Sequence, residues 1–494
     1  MRISSSMIYA AGSSQIDNLQ AQLLQEQEEI SSGTSVLTPA DNPVAAAQAL
    51  LVNQAQANNT QYTSNRQDAN NSLSQEETTL ASVTTLIQNA QTAIVDAGNG
   101  SYTTQQRQAI ATSLQGSYNQ LLGLANSQDG NGNYLFAGYQ TGSQPFTQTA
   151  TGAQYNGDQG QTMVQVSASQ TMAIDDSGNS VFENNVTGNG TFTTTATTTN
   201  VGSGVISTGS VVNAAALTGD TYSIAFSGIQ TSAGTGNTGS GSISSATVTD
   251  ATQLNGDTYS LNFHVGANST TYDVVDTTTG NTVTQGNTYQ AGQPITVGGA
   301  QFSITGNPAD GDQFTVVANP TTYTVTDTTN PASTTVPPAN QPYVSGQTIN
   351  FDGLEFNVTG QPSNGDSFSV APSTTNSVFS TLTSLINLLN TPTGTGVATE
   401  TNLTNGLNTA SNNLSSALNN VLTVRASIGA RLNELTSLDS EGQDLNTQYA
   451  TSLQSLTGLD YAQALSTYSQ EQTTLTAAQQ SFVKISNLSL FNYL

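Results

Sequence analysis

The chain contains no cysteine, no tryptophan and one histidine. The first absence excludes a disulfide framework and every cysteine-ligated metal site. With His264 alone, an HExxH zinc motif cannot be written. Its setting, "NFHVG", is a strand pattern, so it reads as a surface or barrel-face residue. Basic residues are nearly as scarce: six Lys plus Arg stand against 32 acidic residues, for a net charge of −26. None of the six (Arg2, Arg66, Arg107, Arg425, Arg431, Lys484) falls between positions 108 and 424, a span with 17 acidic residues. Such a surface repels polyanions, which excludes nucleic acid as a partner and disfavours anionic lipid. No apolar run approaches the ~18 residues of a membrane span. The N-terminal "MRISSSMIYAAGSSQ" offers only the broken stretch Met7 to Ala11, too short for the core of a cleaved signal peptide. These features predict a soluble chain that bypasses the general secretory route. Its Cys-free, Lys-poor, Thr-rich composition is nevertheless that of a bacterial protein outside the cell.

What is present is helical periodicity at both ends. Ile16, Leu19, Leu23 and Ile30 follow a heptad seam, with Glu26 its one polar member. A second seam runs through Leu73, Leu80, Val83, Ile87 and Ile94. The longest, from Leu403 to Tyr449, keeps apolar residues at alternating three- and four-residue spacing, with Gly429 and Gly442 as possible breaks. A last seam reads Leu465, Tyr468, Gln472, Leu475, Gln479 and Phe482. Between the first two lies "SSGTSVLTPADNPVAAAQAL" (31–50), where Gly33 suits a left-handed helix end, Asn42 a cap and Pro43 a first turn. Long seams far apart in sequence are satisfied by packing against each other, which predicts an antiparallel helical stalk.

The middle, 147–375, changes to short alternating runs punctuated by Gly, Thr, Asn and Asp, which read as strands. It repeats itself. "YQAGQPITVGGAQFSITGNPADGD" (289–312) matches "YVSGQTINFDGLEFNVTGQPSNGD" (343–366), which suggests units of about 256–310 and 311–366. "GDTYSIAFSG" at 219 resembles a worn further start. "TFTTTATTTN" (191–200) and "TSAGTGNTGSGS" (231–242) read as loops or linkers. The Gly-Asp pairs ending at Asp312 and Asp366 lack the spacing of calcium β-rolls and read as turns. "DGNGN" (129–133) has Tyr134 where an EF-hand needs glycine, and is also a turn. The pair Asp175–Asp176 abuts a Ser-Gly turn and carries no cleft signature. No catalytic, cofactor-binding or metal-binding residue is assigned, and the chain reads as a non-enzyme.

The stretches "MRISSSMIY", "ISSGTSVLTPADNPVAAAQAL", "GNYLFAGYQTGSQPF", "VRASIGARLNEL" and "QQSFVKISNLSLFNYL" together resemble the flagellin-like family of bacterial flagella. Flagellin itself usually has Asp-Asp-Ala-Ala where this chain has Ala40-Asp41-Asn42-Pro43, lacks "YLFAGYQT…PF" and ends differently. Those departures point to the members that join hook to filament. The resemblance implies a multidomain α plus β protein. Its parts would be an assembly helix (1–35), stalk helices (36–146 and 376–460), an inserted β-rich domain (147–375) and a second assembly helix (461–494). It also implies export without a cleaved signal through the flagellar type III apparatus with a chaperone, extracellular localisation, and contacts with copies of itself, flagellin and the first hook-associated protein. The expected assembly residues are Ile16, Leu19, Leu23, Ile30, Leu475, Phe482, Ile485, Leu488 and Phe491. The alternatives are a filament subunit and a secreted β-repeat adhesin.

Overall fold

The computed structural model describes residues 5–332, 336–391 and 397–487. Among them are six α-helices: α1 (Ser5–Ser32), α2 (Pro43–Ala97), α3 (Thr104–Ala125), α4 (Val378–Asn390), α5 (Val397–Thr457) and α6 (Tyr461–Asn487). The 61 residues of α5 correspond to about 90 Å of helix at 1.5 Å per residue, and neither Gly429 nor Gly442 breaks it. The chain divides into two compact units, one drawn from 1–73, 163–174 and 430–494, the other from 74–162 and 175–429.

In the first unit α1 and α6 run antiparallel, with Tyr9 edge-on to Phe482 at 6.0 Å and Gly33 beside Tyr461. The breaks that bound these helices lie side by side. Gly33 takes φ of 73°, a left-handed conformation that ends α1. Next to it, Ser35 N–H donates to the Thr457 carbonyl at 2.7 Å, and Leu459 N–H donates to Gly33 at 3.2 Å. Asp41 gathers the N–H groups of Leu37 and Thr38. Asn42 then caps α2 through Ala45 N–H, and Asp460 caps α6 through Ala462 and Gln463. Gly442 is needed for close approach: a Cβ there would run into the Arg66 guanidinium, and its carbonyl accepts from Asn59 at 2.7 Å.

In the second unit the seams of α2 (Leu80, Val83, Ile87, Ile94) and α5 (Leu403, Leu407, Leu414, Val421, Ile428) are buried. Arg425 ties the two helices by donating to Glu77 at 2.6 and 3.0 Å. The "NYLFAGYQTGSQPF" passage supplies Phe136 and Phe146 to an aromatic cluster with Phe182, Phe379 and Tyr118, centroids 5.2–5.9 Å apart. Its Leu135, Phe136, Ala137 and Phe146 are buried, while Tyr139 between them is exposed.

The β region holds two cores with the same strand plan. In the outer lobe a five-stranded sheet runs Gln341–Pro342, Thr322–Asp327, Tyr222–Ser227, Ser367–Pro372, Phe192–Ala196. In the inner lobe the matching order is Asn281–Thr288, Thr270–Asp276, Thr258–Val265, Gln313–Val317, Gln230–Ala233. Each lobe adds a smaller sheet centred on Leu354–Thr359 or Ala300–Thr305. The inner lobe is inserted into the outer one. The chain leaves after Tyr222–Ser227 and returns at Thr322–Asp327, and these two strands pair with Ser227 opposite Thr322.

This corrects the tandem reading of the repeat. A unit of 311–366 would straddle both cores, because Gln313–Val317 closes the inner lobe while Thr322–Asp327 already belongs to the outer. The "worn start" at 219 is the outer lobe's equivalent of the strand at 258. The Thr- and Gly-rich tracts at 191–200 and 231–242, expected as loops, contain matching strands. Asn200 bonds both the N–H and the carbonyl of Ser367, and Asn237 does the same to Gln313. Low complexity concealed them because a two- to five-residue strand carries too few apolar positions to register as alternation.

Candidate assembly interface

The α1 seam is a run of half-buried residues at Tyr9, Gly12, Ile16, Leu19, Leu23, Glu26 and Ile30. On α6 the inward positions are Ala464, Tyr468, Glu471, Leu475, Ala478 and Phe482. Tyr468, Leu475 and Phe482 of the expected α6 seam face inward, and the inward positions between them lie one residue away from those expected. Leu465, Gln472 and Gln479 face outward. Residues seven apart fit two heptad phases, and the small Ala464 and Ala478 allow the helices to approach. Ile485, named as an assembly residue, is exposed (48%). Leu488 and Phe491 lie outside the described residues.

The seam is weak where the two glutamates meet. Glu26 and Glu471 each hold one carboxylate oxygen out of solvent with no hydrogen-bond partner. Burial, then Glu29 and Glu471, push the Glu26 carboxyl above its ordinary range. Outside the seam, Met7, Ile8, Leu24, Leu465, Val483 and Ile485 leave apolar side chains exposed on the two helices.

Sequence reasoning missed how the few arginines work. Arg66 is buried and donates to Asp439 at 2.5 Å, the Val166 carbonyl at 2.9 Å and Thr63 at 2.9 Å. Arg431 donates to the Ala173 carbonyl at 3.0 Å. Together they clamp the hairpin Met163–Ser167 and Gln170–Ala173 onto α2 and α5. Scarcity was the available signal: among the described residues each arginine of this basic-poor chain has a defined acceptor set. Also missed was an asparagine row on α5, in which Asn402, Asn405, Asn412 and Asn420 reach Thr198, Gly204, Thr208 and Ser180.

The residues weighed for chemistry have local duties. Asp312 accepts the N–H groups of Thr238, Gly239 and Ala309, and Asp366 those of Val201, Gly202 and Ser363. Asp129 closes a turn on Asn131 and Asn133. Asp175 accepts from Thr162 N–H and Asp176 from the Gln161 amide. His264 pairs with Asp273 at 3.1 Å on the strand surface. No helix among the described residues is long and apolar enough to cross a membrane.

The α1–α6 pair, the capped joint and the long helices α2 and α5, which flank a β-rich insert in sequence, define a class. Residues 3–141 match the bacterial flagellin N-terminal helical region. More particularly, the chain is similar to flagellar hook-associated protein 3 of Salmonella typhimurium, 47% identical over 182 residues, covering 37% of this chain and 57% of that protein. The same-named protein of Escherichia coli is 44% identical over 183 residues with the same coverages. The match thus spans little more than half the length of these curated relatives. Among solved structures, the flagellar junction protein FlgL from Legionella pneumophila is similar at a TM-score of 0.57 and 27% identity, covering 83% of this chain and 100% of that one.

Proposed function

We propose that this chain is a non-enzymatic structural subunit of the bacterial flagellum, an adapter between the hook-associated proteins and the flagellin filament. The observation that carries this is the α1–α6 pair. Its seam is only half-buried and interrupted by facing glutamates, while apolar side chains remain exposed on the same helices. Two helices so poorly sealed gain most by packing with further copies. Ile16, Leu19, Leu23, Ile30, Leu475 and Phe482 are assigned to the α1–α6 seam, and Ile485, Leu488 and Phe491 to contacts with neighbouring copies. The partners are other copies, flagellin and the first hook-associated protein. Export runs through the type III apparatus with a chaperone, for which a chain without disulfides is suited. The resemblance to proteins named hook-associated protein 3 favours a junction over a filament subunit. A calcium-binding adhesin is less favoured, since Asp312 and Asp366 are engaged by backbone N–H groups. Deleting residues 465–494 should abolish incorporation at the junction and motility while the β lobes stay folded. Normal filaments in the truncated strain would overturn the assignment.

A further inference from the structure

The nested duplication lets one lobe be read against the other. In the outer lobe Val205–Ile206 is an edge strand of the smaller sheet. Ser207 N–H bonds inward to Asn357 at 2.9 Å, so the Gly204 carbonyl and the Ile206 N–H point away from the sheet. Both are taken by one side chain of α5: Asn405 donates to Gly204 at 3.0 Å and accepts from Ile206 at 3.2 Å. A carboxamide offers donor and acceptor together, so it completes the edge as a further strand would. Asn402 and Asn412 add bonds to Thr198 and Thr208.

The inner lobe carries the same edge 37 residues later. Ser203-Gly204-Val205-Ile206-Ser207 corresponds to Ser240-Gly241-Ser242-Ile243-Ser244, and Thr198 and Thr208 to Thr235 and Ser245. Ser244 N–H again bonds inward, to Ser303 at 2.9 Å, so Gly241 and Ile243 present their carbonyl and N–H outward. Among the described residues nothing takes them. Gly204 and Ile206 are buried, whereas Gly241 and Ile243 are only half-buried and Ser244 and Ser245 are exposed. The inner lobe has kept the dock and lacks the helix.

We propose that the Gly241–Ile243 edge is a second helix-docking site, and that its occupant is an uncharged α-helix of a partner protein presenting asparagine carboxamides at positions i and i+3. The precedent within the chain sets the chemistry, and charge agrees with it. Residues 229–249 carry no charged side chain, and neither do residues 401–413 of α5, which fill the equivalent site. The two-residue strand Ser242–Ile243 is too short to template an added strand. This inference stands independently of the flagellar assignment.

The test uses the full chain and a helix-stapled peptide of its own residues 401–414, which carries no charged side chain, as probe, followed by backbone amide NMR and hydrogen exchange. The expected result is saturable shifts at Gly241–Ser245 and at least tenfold slower exchange of the Ile243 amide. A peptide carrying Asn405→Leu should lose both effects, and this arm leaves the chain itself unchanged. Ile243→Pro in the chain, which removes the N–H, should also abolish binding. No shift at these residues, equal binding by the Asn405→Leu peptide, or changes confined to Ile206 through displacement of α5 would each overturn the proposal.

Discussion

Asp276 and Asp327 stand at equivalent points of the two lobes, yet only one has both carboxylate oxygens in use. Each accepts two N–H groups of the following turn through Oδ1. Asp276 Oδ2 also accepts the Thr279 hydroxyl at 2.7 Å, which leads in holding that carboxyl below its ordinary range. Asn330 occupies the matching position in the outer lobe, and Asp327 Oδ2 is left buried without a partner. Asn330→Thr should therefore stabilise the outer lobe by about 0.5–1.5 kcal/mol, read as a higher denaturation midpoint with unchanged slope. Arg66 argues in the opposite direction. Arg66→Met keeps the aliphatic stem but removes three hydrogen bonds, so it should cost about 1.5–3 kcal/mol and release the 163–173 hairpin to proteolysis. Equal stability and resistance would show that the hairpin is held by other contacts.

At the scale of elements, the helices and the joint were legible because their signals are local. Gly33, Asn42 and Pro43 each state a backbone requirement within one or two residues, and the structure meets each as written. The phase of α6 was not legible, since Tyr468, Leu475 and Phe482 fit two seams and only the partner helix chooses between them. The asparagine row of α5 was likewise invisible, because polar residues on a helix read as a solvated face until a sheet edge is placed against them. The α1–α6 pair also has a predictable pH response. Glu26 titrates above its ordinary value when the pair is formed, facing Glu29 on its own helix and Glu471 on α6. The paired state thus binds a proton more readily than the open chain, and pairing strengthens as pH falls through the raised value, with the gain complete below the ordinary 4.5. Glu26→Gln should remove most of this dependence and raise the melting temperature of the terminal helices at neutral pH. A variant as pH-sensitive as the parent, followed by circular dichroism, would place the titrating group elsewhere.

For the whole molecule, the repeat was legible but its nesting was not, since similarity between segments does not say which strands share a core. The topology makes a definite claim about modularity. The inner lobe enters and leaves where Gly228 and Thr321 are neighbours, a Cβ on Gly228 standing 3.6 Å from Thr321 Cα. In the inner lobe the equivalent strands, Thr258–Val265 and Thr270–Asp276, are joined by the short loop Gly266-Ala267-Asn268-Ser269, closed by a Gly266 N–H to Ser269 bond of 2.9 Å. Replacing residues 229–320 with that loop should leave the outer core intact, because Ile224, Phe226, Val325, Phe356 and Phe368 pack in a cluster that takes nothing from the inner lobe. Shortening the connection also lowers the entropy of closing Tyr222–Ser227 onto Thr322–Asp327. The shortened chain should melt cooperatively with the outer-lobe amides still protected. If the terminal helices carry assembly, it should also restore motility to a strain lacking the parent gene. Loss of the outer-lobe protection would show that the two lobes fold as one, and motility lost from a well-folded variant would move the assembly determinants into the inner lobe.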